Sequence, residues 1–127
     1  MVGLVLVSHS EQLAAGLRDL VVTLAPGEVT VEAAGGTDDG RFGTSYQRIE
    51  AAISKADRGD GVVVLADMGS AVLTVRTVLD DHPRAGVLLV DAPLVEGAVA
   101  AAVLAATGAG LDDVSAAAAE AREVPKF

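Results

Sequence analysis

Two short stretches of the chain hold residue types that can make and break a covalent bond. They are Ser8-His9-Ser10 and Asp67-Met68-Gly69-Ser70. A neutral imidazole is a good nucleophile when one ring nitrogen is held by a hydrogen bond and the other is free. A carboxylate such as Asp67 would fix the tautomer of His9 and stabilise the positive charge that develops as the ring reacts. Gly69 would let the backbone come close to a ligand. Ser10 and Ser70, with the N–H groups of a helix start, could hold phosphoryl oxygens. Neither stretch contains Lys or Arg. A site that binds phosphate tightly would normally have one, whereas a site that passes a phosphoryl group on does better without it.

These residues meet only if strands and helices bring them together. Val2–Val7 has the length and β-branched content of a buried strand. A helical pattern starts at Ser10, with Leu13, Leu17, Leu20, Val21 and Leu24 spaced by 4, 3, 1 and 3. Ser10 is placed to cap that helix and Glu11 favours its first turn. Pro26-Gly27 stops it, and Glu28–Ala33 reads as a second strand because Val29 and Val31 alternate with polar residues. Gly35–Gly40 is a polar, glycine-rich loop. Gly36, Thr37 and Thr44 could form a rim around His9, although such a loop is equally an ordinary connection. Thr44 or Ser45 caps a helix carrying Tyr46, Ile49, Ile53 and Ala56.

Val62–Leu65 is a continuous apolar run, as in a strand buried on both faces. It gives way at Asp67 to a helix over 70–81, with Val72, Val75, Val78 and Leu79 apolar. His82 falls at the end of that helix, where an imidazole interacts well with the dipole. Val87–Val90 is a fourth strand, and Asp91-Ala92-Pro93 opens a helix with Pro at its first position. Residues 94–106 are apolar nearly all round, with Glu96 the single charge. A helix like that must be covered on more than one side, and a subunit interface is an expected cover. Asp112 and Asp113 open a last, Ala-rich helix.

Strands alternating with helices imply a mostly parallel sheet of about four strands, helices on both faces and right-handed crossovers. The first and third strands are often neighbours in such sheets. The turns at His9 and Asp67 would then meet at the carboxyl edge, where open α/β sheets bind ligands.

Composition narrows the class. A chain of 127 residues suits one domain spanning 1–127. No apolar stretch approaches a membrane span of ~20 residues, and no signal-peptide pattern opens the chain. Cysteine is absent, which excludes thiolate chemistry and disulfides and fits a cytoplasmic setting. The net charge of −9 opposes nucleic acid and anionic membrane surfaces and favours a protein partner with a basic face.

Val7-Ser8-His9-Ser10, Asp67-Met68-Gly69-Ser70-Ala71 and Ala92-Pro93-Leu94-Val95-Glu96-Gly97 resemble, in order and over essentially the whole chain, the phosphocarrier subunits of phosphoenolpyruvate-dependent dihydroxyacetone kinases. These belong to the wider group of mannose-type IIA domains of the sugar phosphotransferase system, which are flavodoxin-like in architecture. The sugar-specific domains carry Gly-Gly-Ser-Pro after the aspartate. This chain has Gly69-Ser70-Ala71 there, which favours the dihydroxyacetone branch. The resemblance implies that His9 accepts a phosphoryl group on Nε2 from the histidine phosphocarrier protein, with Asp67 facing Nδ1. His9 would pass the group to ADP on the nucleotide-binding kinase subunit. It also implies a homodimer, a donor on a separate chain, and no metal or cofactor.

Other readings stay open on residues alone. Asp67, His9 and Ser70 are the residue types of a hydrolase triad, but no Gly-x-Ser-x-Gly turn is present. A sugar-specific IIA domain differs only in its acceptor. A non-catalytic flavodoxin-like regulatory module is the third, without a Walker A or Gly-x-Gly-x-x-Gly nucleotide site.

Overall fold

The computed structural model describes residues Met1–Phe127. In chain order the elements are β1 (Gly3–Ser8), α1 (Glu11–Leu24), β2 (Val31–Gly35), α2 (Tyr46–Ala56), β3 (Val62–Ala66), α3 (Gly69–Asp81), β4 (Val87–Leu89), α4 (Leu94–Ala105) and α5 (Leu111–Glu120), followed by a 3₁₀ turn at Ala121–Glu123. The four strands are all parallel and lie in the order β2-β1-β3-β4. The expected parallel α/β sheet with helices on both faces is therefore present, and β1 and β3 are neighbours.

Alternation along β1 divides the interior in two. Leu4 and Leu6 face a layer made with Leu17 and Val21 of α1, Ala98, Ala101 and Ala105 of α4, and Val114 and Ala118 of α5. Val5 and Val7 face Ile49 and Ile53 of α2 and Val75 and Val78 of α3. Side chains that alternate across a strand but are all apolar need cover on both faces, and the helices supply it.

Three of the boundaries that differ from expectation bear on the site and the core. The second strand is Val31–Gly35 rather than Glu28–Ala33, because it is set by pairing with β1, Leu4 with Val31 through Ser8 with Gly35. Local alternation of valines does not report that register. α3 starts one residue earlier, at Gly69. Pro93 is the residue before α4 rather than its first, with an extended ψ of 130°.

One face of the apolar α4 is covered within the subunit. Gly97, Ala98, Ala101, Ala102 and Ala105 are buried, and α5 supplies part of that cover through Val114 and Ala118. Small side chains allow the close approach: a Cβ at Gly97 would lie 3.3 Å from the Ala118 carbonyl oxygen. Val95 and Val103 stay exposed. No helix is long and apolar enough to cross a membrane.

Candidate functional site

The strand order reverses between β1 and β3, so the turns that follow these two strands flank the switch point of the sheet. They are tied together through their backbones. Asp67 N–H donates to the Val7 carbonyl at 3.1 Å, and Gly36 N–H donates to the Ser8 carbonyl at 3.1 Å. Gly43 N–H donates to the His9 carbonyl at 2.9 Å. The loop between β2 and α2 is thus fastened to the histidine turn at two points. Gly43 does this with φ of +144°, a conformation that glycine reaches without strain.

Within this frame Asp67 grips the histidine turn with both oxygens. Oδ1 lies 2.9 Å from His9 Nδ1. Oδ2 accepts from the His9 backbone N–H at 3.0 Å and from the Ser8 hydroxyl at 2.9 Å. Burial pushes the Asp67 carboxyl up. The hydrogen bonds from the His9 N–H, the His9 ring and Ser8, with the attraction of the imidazole, outweigh that and hold it below the ordinary carboxylate value.

An ionised carboxylate only accepts, so Nδ1 carries a proton, and in the neutral ring Nε2 then carries the lone pair. Nε2 lies 2.6 Å from the Ser70 hydroxyl, which is then the donor. His9 is held at both ring nitrogens, yet a fifth of its side chain remains accessible. Ser70 is the second residue of α3, and no side chain caps that helix start. The N–H groups of Gly69 and Ser70 precede the first helical hydrogen bond, at the positive end of the dipole, and the Ser70 hydroxyl ties that helix start to Nε2. In its neutral form the ring offers one nucleophilic nitrogen, with a carboxylate at Nδ1 and the Ser70 hydroxyl at Nε2.

The expected residues do not all fall in the same place. His9, Asp67 and Ser70 are in direct contact. Ser10 is adjacent, but its hydroxyl accepts from Leu13 N–H at 3.2 Å and caps α1. A Cβ at Gly69 would meet nothing within 4 Å, so the protein's own packing does not require glycine there. Of the rim residues, Gly36 touches the histidine turn through its N–H. Thr44 bonds Thr74 of α3 at 2.8 Å. Thr37 is engaged inside its own loop, with its N–H on the Arg41 carbonyl at 2.9 Å. Ser45, not Thr44, caps α2.

Ser8 belongs to the Ser8-His9-Ser10 stretch, but pattern alone assigns it no role of its own there. Its hydroxyl is fully buried and also accepts from Ser10 N–H at 3.0 Å, so it links Asp67 to the start of α1. A hydroxyl that ends a continuous apolar strand must find partners, and that was the available signal. The cations of the adjoining loop and helix are already paired: Arg41 with Asp39 at 3.2 Å and Arg48 with Glu11 at 3.3 Å.

Comparison with known proteins gives the family. Residues 3–115 match the EIIA-man family, described as the PTS system fructose IIA component. The phosphoryl donor subunit DhaM of PEP-dependent dihydroxyacetone kinase 1 from Listeria innocua is 39% identical over 100 residues, 79% of this chain and 78% of that protein. The Escherichia coli DhaM is 41% identical over 120 residues, which are 90% of this chain but 25% of that protein. A crystal structure of a protein of unknown function superposes with a TM-score of 0.82 at 35% identity, over 93% of each chain. The chain belongs to the EIIA-man family and, within it, to the DhaM phosphoryl donor subunits.

Proposed function

We propose that His9 is a phosphoryl carrier that takes the group from the histidine phosphocarrier protein of the phosphotransferase system and delivers it to ADP on the nucleotide-binding subunit of dihydroxyacetone kinase. The observation that carries the reading is the fixed ring, with Nδ1 on Asp67 at 2.9 Å and Nε2 turned to Ser70 and the start of α3. The names of the relatives support the kinase as destination.

In the first step Ser70 releases Nε2, whose lone pair attacks phosphorus. The P–N bond of the donor phosphohistidine breaks and its electron pair returns to the donor ring. His9 keeps its Nδ1 proton, so positive charge grows on the ring and ionised Asp67 stabilises it. The Ser70 hydroxyl and the N–H groups of Gly69 and Ser70 then serve the phosphoryl oxygens. In the second step a terminal phosphate oxygen of ADP attacks phosphorus, the P–N bond breaks, and His9 returns to the neutral Nδ1–H form. Transfer of this kind is mostly positioning, so a rigid ring and two docking events suffice. With no cation committed to the phosphoryl group, the group leaves as readily as it arrives.

Residues 1–127 are read as one carrier domain without metal or cofactor. A cytoplasmic homodimer belongs to the same reading. Its support is the apolar surface of Leu20, Leu24, Val95, Val99 and Val124, which α5 leaves open.

A phosphorylation relay tests the proposal. The protein is mixed with phosphoenolpyruvate, the general phosphotransferase enzyme and the histidine phosphocarrier, then with the kinase subunits, ADP and dihydroxyacetone. Intact mass should show an acid-labile, base-stable phosphate on wild type, none on His9→Ala, and discharge only with the kinase subunits. Label that persists would point to a sugar-branch acceptor, and no label from an active donor would point to a binding module.

The chain Ser70–His9–Asp67 also has the hydrogen-bond order of a hydrolase triad. A serine-reactive fluorophosphonate separates the two readings: the carrier remains unlabelled, whereas a hydrolase is labelled at Ser70.

A further inference from the structure

Three large apolar side chains stand in water around the candidate site: Phe42 is 85% exposed, Met68 57% and Leu73 65%. None contributes to either core layer. Each lies close to a residue that touches His9. Phe42 precedes Gly43, whose N–H holds the His9 carbonyl. Met68 separates Asp67 from α3. Leu73 is one helical turn beyond Ser70. Phe42 also walls a cleft of about 640 Å³ that opens beside Ser10, between the start of α1 and the loop at Gly40–Phe42.

We propose that Phe42, Met68 and Leu73 are the apolar contacts on which the protein donor of the phosphoryl group seats itself. The inference rests on the carrier reading above. Transfer to Nε2 from a residue on another protein brings that protein's surface to within a few ångströms of His9, so whatever rings His9 is covered in the encounter. Exposed apolar groups gain from that cover, and buried aromatic and long aliphatic anchors dominate such contacts.

Charge selects the chemistry of the partner. The chain carries −9 overall, yet Gly69–Val75 at the start of α3 has no charged residue. The carboxylates beside it are paired: Asp39 with Arg41 at 3.2 Å, and Glu11 and Asp38 with the shared Arg48 at 3.3 and 3.9 Å. Asp80, Asp81, Asp112 and Asp113 lie at the opposite edge of the sheet. There α3 ends and Leu111 packs against Gly61, just before β3. The fitting partner therefore presents an apolar patch around its phosphorylated side chain, and docking is insensitive to salt. This differs from the basic-faced partner that net charge alone predicts.

The test compares two routes of phosphate to the same nitrogen. Potassium phosphoramidate labels histidine without docking, whereas the charged histidine phosphocarrier must dock. Phe42→Ser and Leu73→Ser should each lower kcat/KM for the protein route by about tenfold and leave phosphoramidate labelling at the wild-type rate. Val103→Ser, an exposed apolar change on α4, should alter neither. Raising salt from about 0.05 to 0.5 M should change the protein route by less than about threefold. Unchanged protein transfer in both rim variants would overturn the proposal, as would an equal fall by both routes, which would mean damage to the site itself. A steep loss with salt would replace the apolar rim by charge pairing. If wild type took phosphoramidate label but none from the protein donor, the carrier reading would fail, and the rim would lose its occupant with it.

Discussion

α3 has a histidine at each end, and the two could hardly be treated more differently. At its start His9 is held at both ring nitrogens, by Asp67 and Ser70, and its backbone is tied to Asp67 and Gly43. At its end His82 is exposed and is the residue after the helix. Its N–H reaches the Val78 carbonyl at 2.9 Å, and its ring has only the tilted Tyr46 ring 6.2 Å away. The first end lies at the carboxyl edge of β1 and β3, where two turns converge. The second lies at the amino edge, among Asp80, Asp81 and the Asp57–Arg84 pair. A histidine thus becomes a candidate nucleophile when two strands bring a carboxylate and a helix start to it. The residue type alone does not decide.

The largest effect separates the two ends outright. His9→Ala should abolish phosphoryl uptake, and His82→Ala should leave it at the wild-type rate; intact mass after incubation with the charged donor reads both. Equal loss in the two variants would erase the contrast.

Asp67→Ala should slow uptake by roughly 10²-fold, because the tautomer and the stabilising charge are lost together. It also leaves Ser8 and the His9 N–H without their acceptor, which costs about 1–3 kcal/mol. The linkage has a definite sign. The Asp67 carboxyl is lowered on folding, so its contribution is fully present above the unfolded value near pH 4 and is lost as pH falls through the lower folded value. Wild type should therefore lose more stability than Asp67→Ala on acidification below about pH 4, as read by denaturant melts.

Two glycines sharpen the comparison by position. A Cβ at Gly35 would lie 2.5 Å from the Ser10 carbonyl oxygen, and one at Gly3 would lie 2.2 Å from the Ala56 carbonyl oxygen. Both alanine variants should lose about 1–3 kcal/mol in thermal melts. Gly35→Ala, beside the histidine turn, should also slow uptake, whereas Gly3→Ala, at the amino edge, should not. The smallest effect is expected of Ser8→Ala: about 1 kcal/mol of stability and a loss of uptake below about tenfold, since Asp67 keeps its two bonds to His9.

Much of this was legible in the sequence, for identifiable reasons. β1 and β3 are central strands, so Val2–Val7 and Val62–Leu65 are continuous apolar runs that need no knowledge of their neighbours. Both end in polar turns, so neighbouring strands set His9 opposite Asp67. The edge strand β2 was misplaced because Ala33-Ala34-Gly35 has little strand preference of its own. Pairing with β1 and the close approach of α1 to Gly35 hold it there. An alanine-rich helix gives no sign of which of its faces meets its own domain; α5 covers one face of α4, and Val95 and Val103 stay exposed. The role of Ser8 is not legible in the sequence because it lies in a hydrogen bond across 59 residues.

The most direct test of the central claim is the identity of the reacting nitrogen. ¹⁵N NMR of imidazole-labelled protein should show His9 as the Nδ1–H tautomer before reaction. After transfer from the charged donor, the phosphate should be on Nε2, with coupling from phosphorus to that nitrogen. Phosphate on Nδ1, or an Nε2–H tautomer in the resting protein, would contradict an Asp67-fixed ring and with it the role assigned to the whole carboxyl edge.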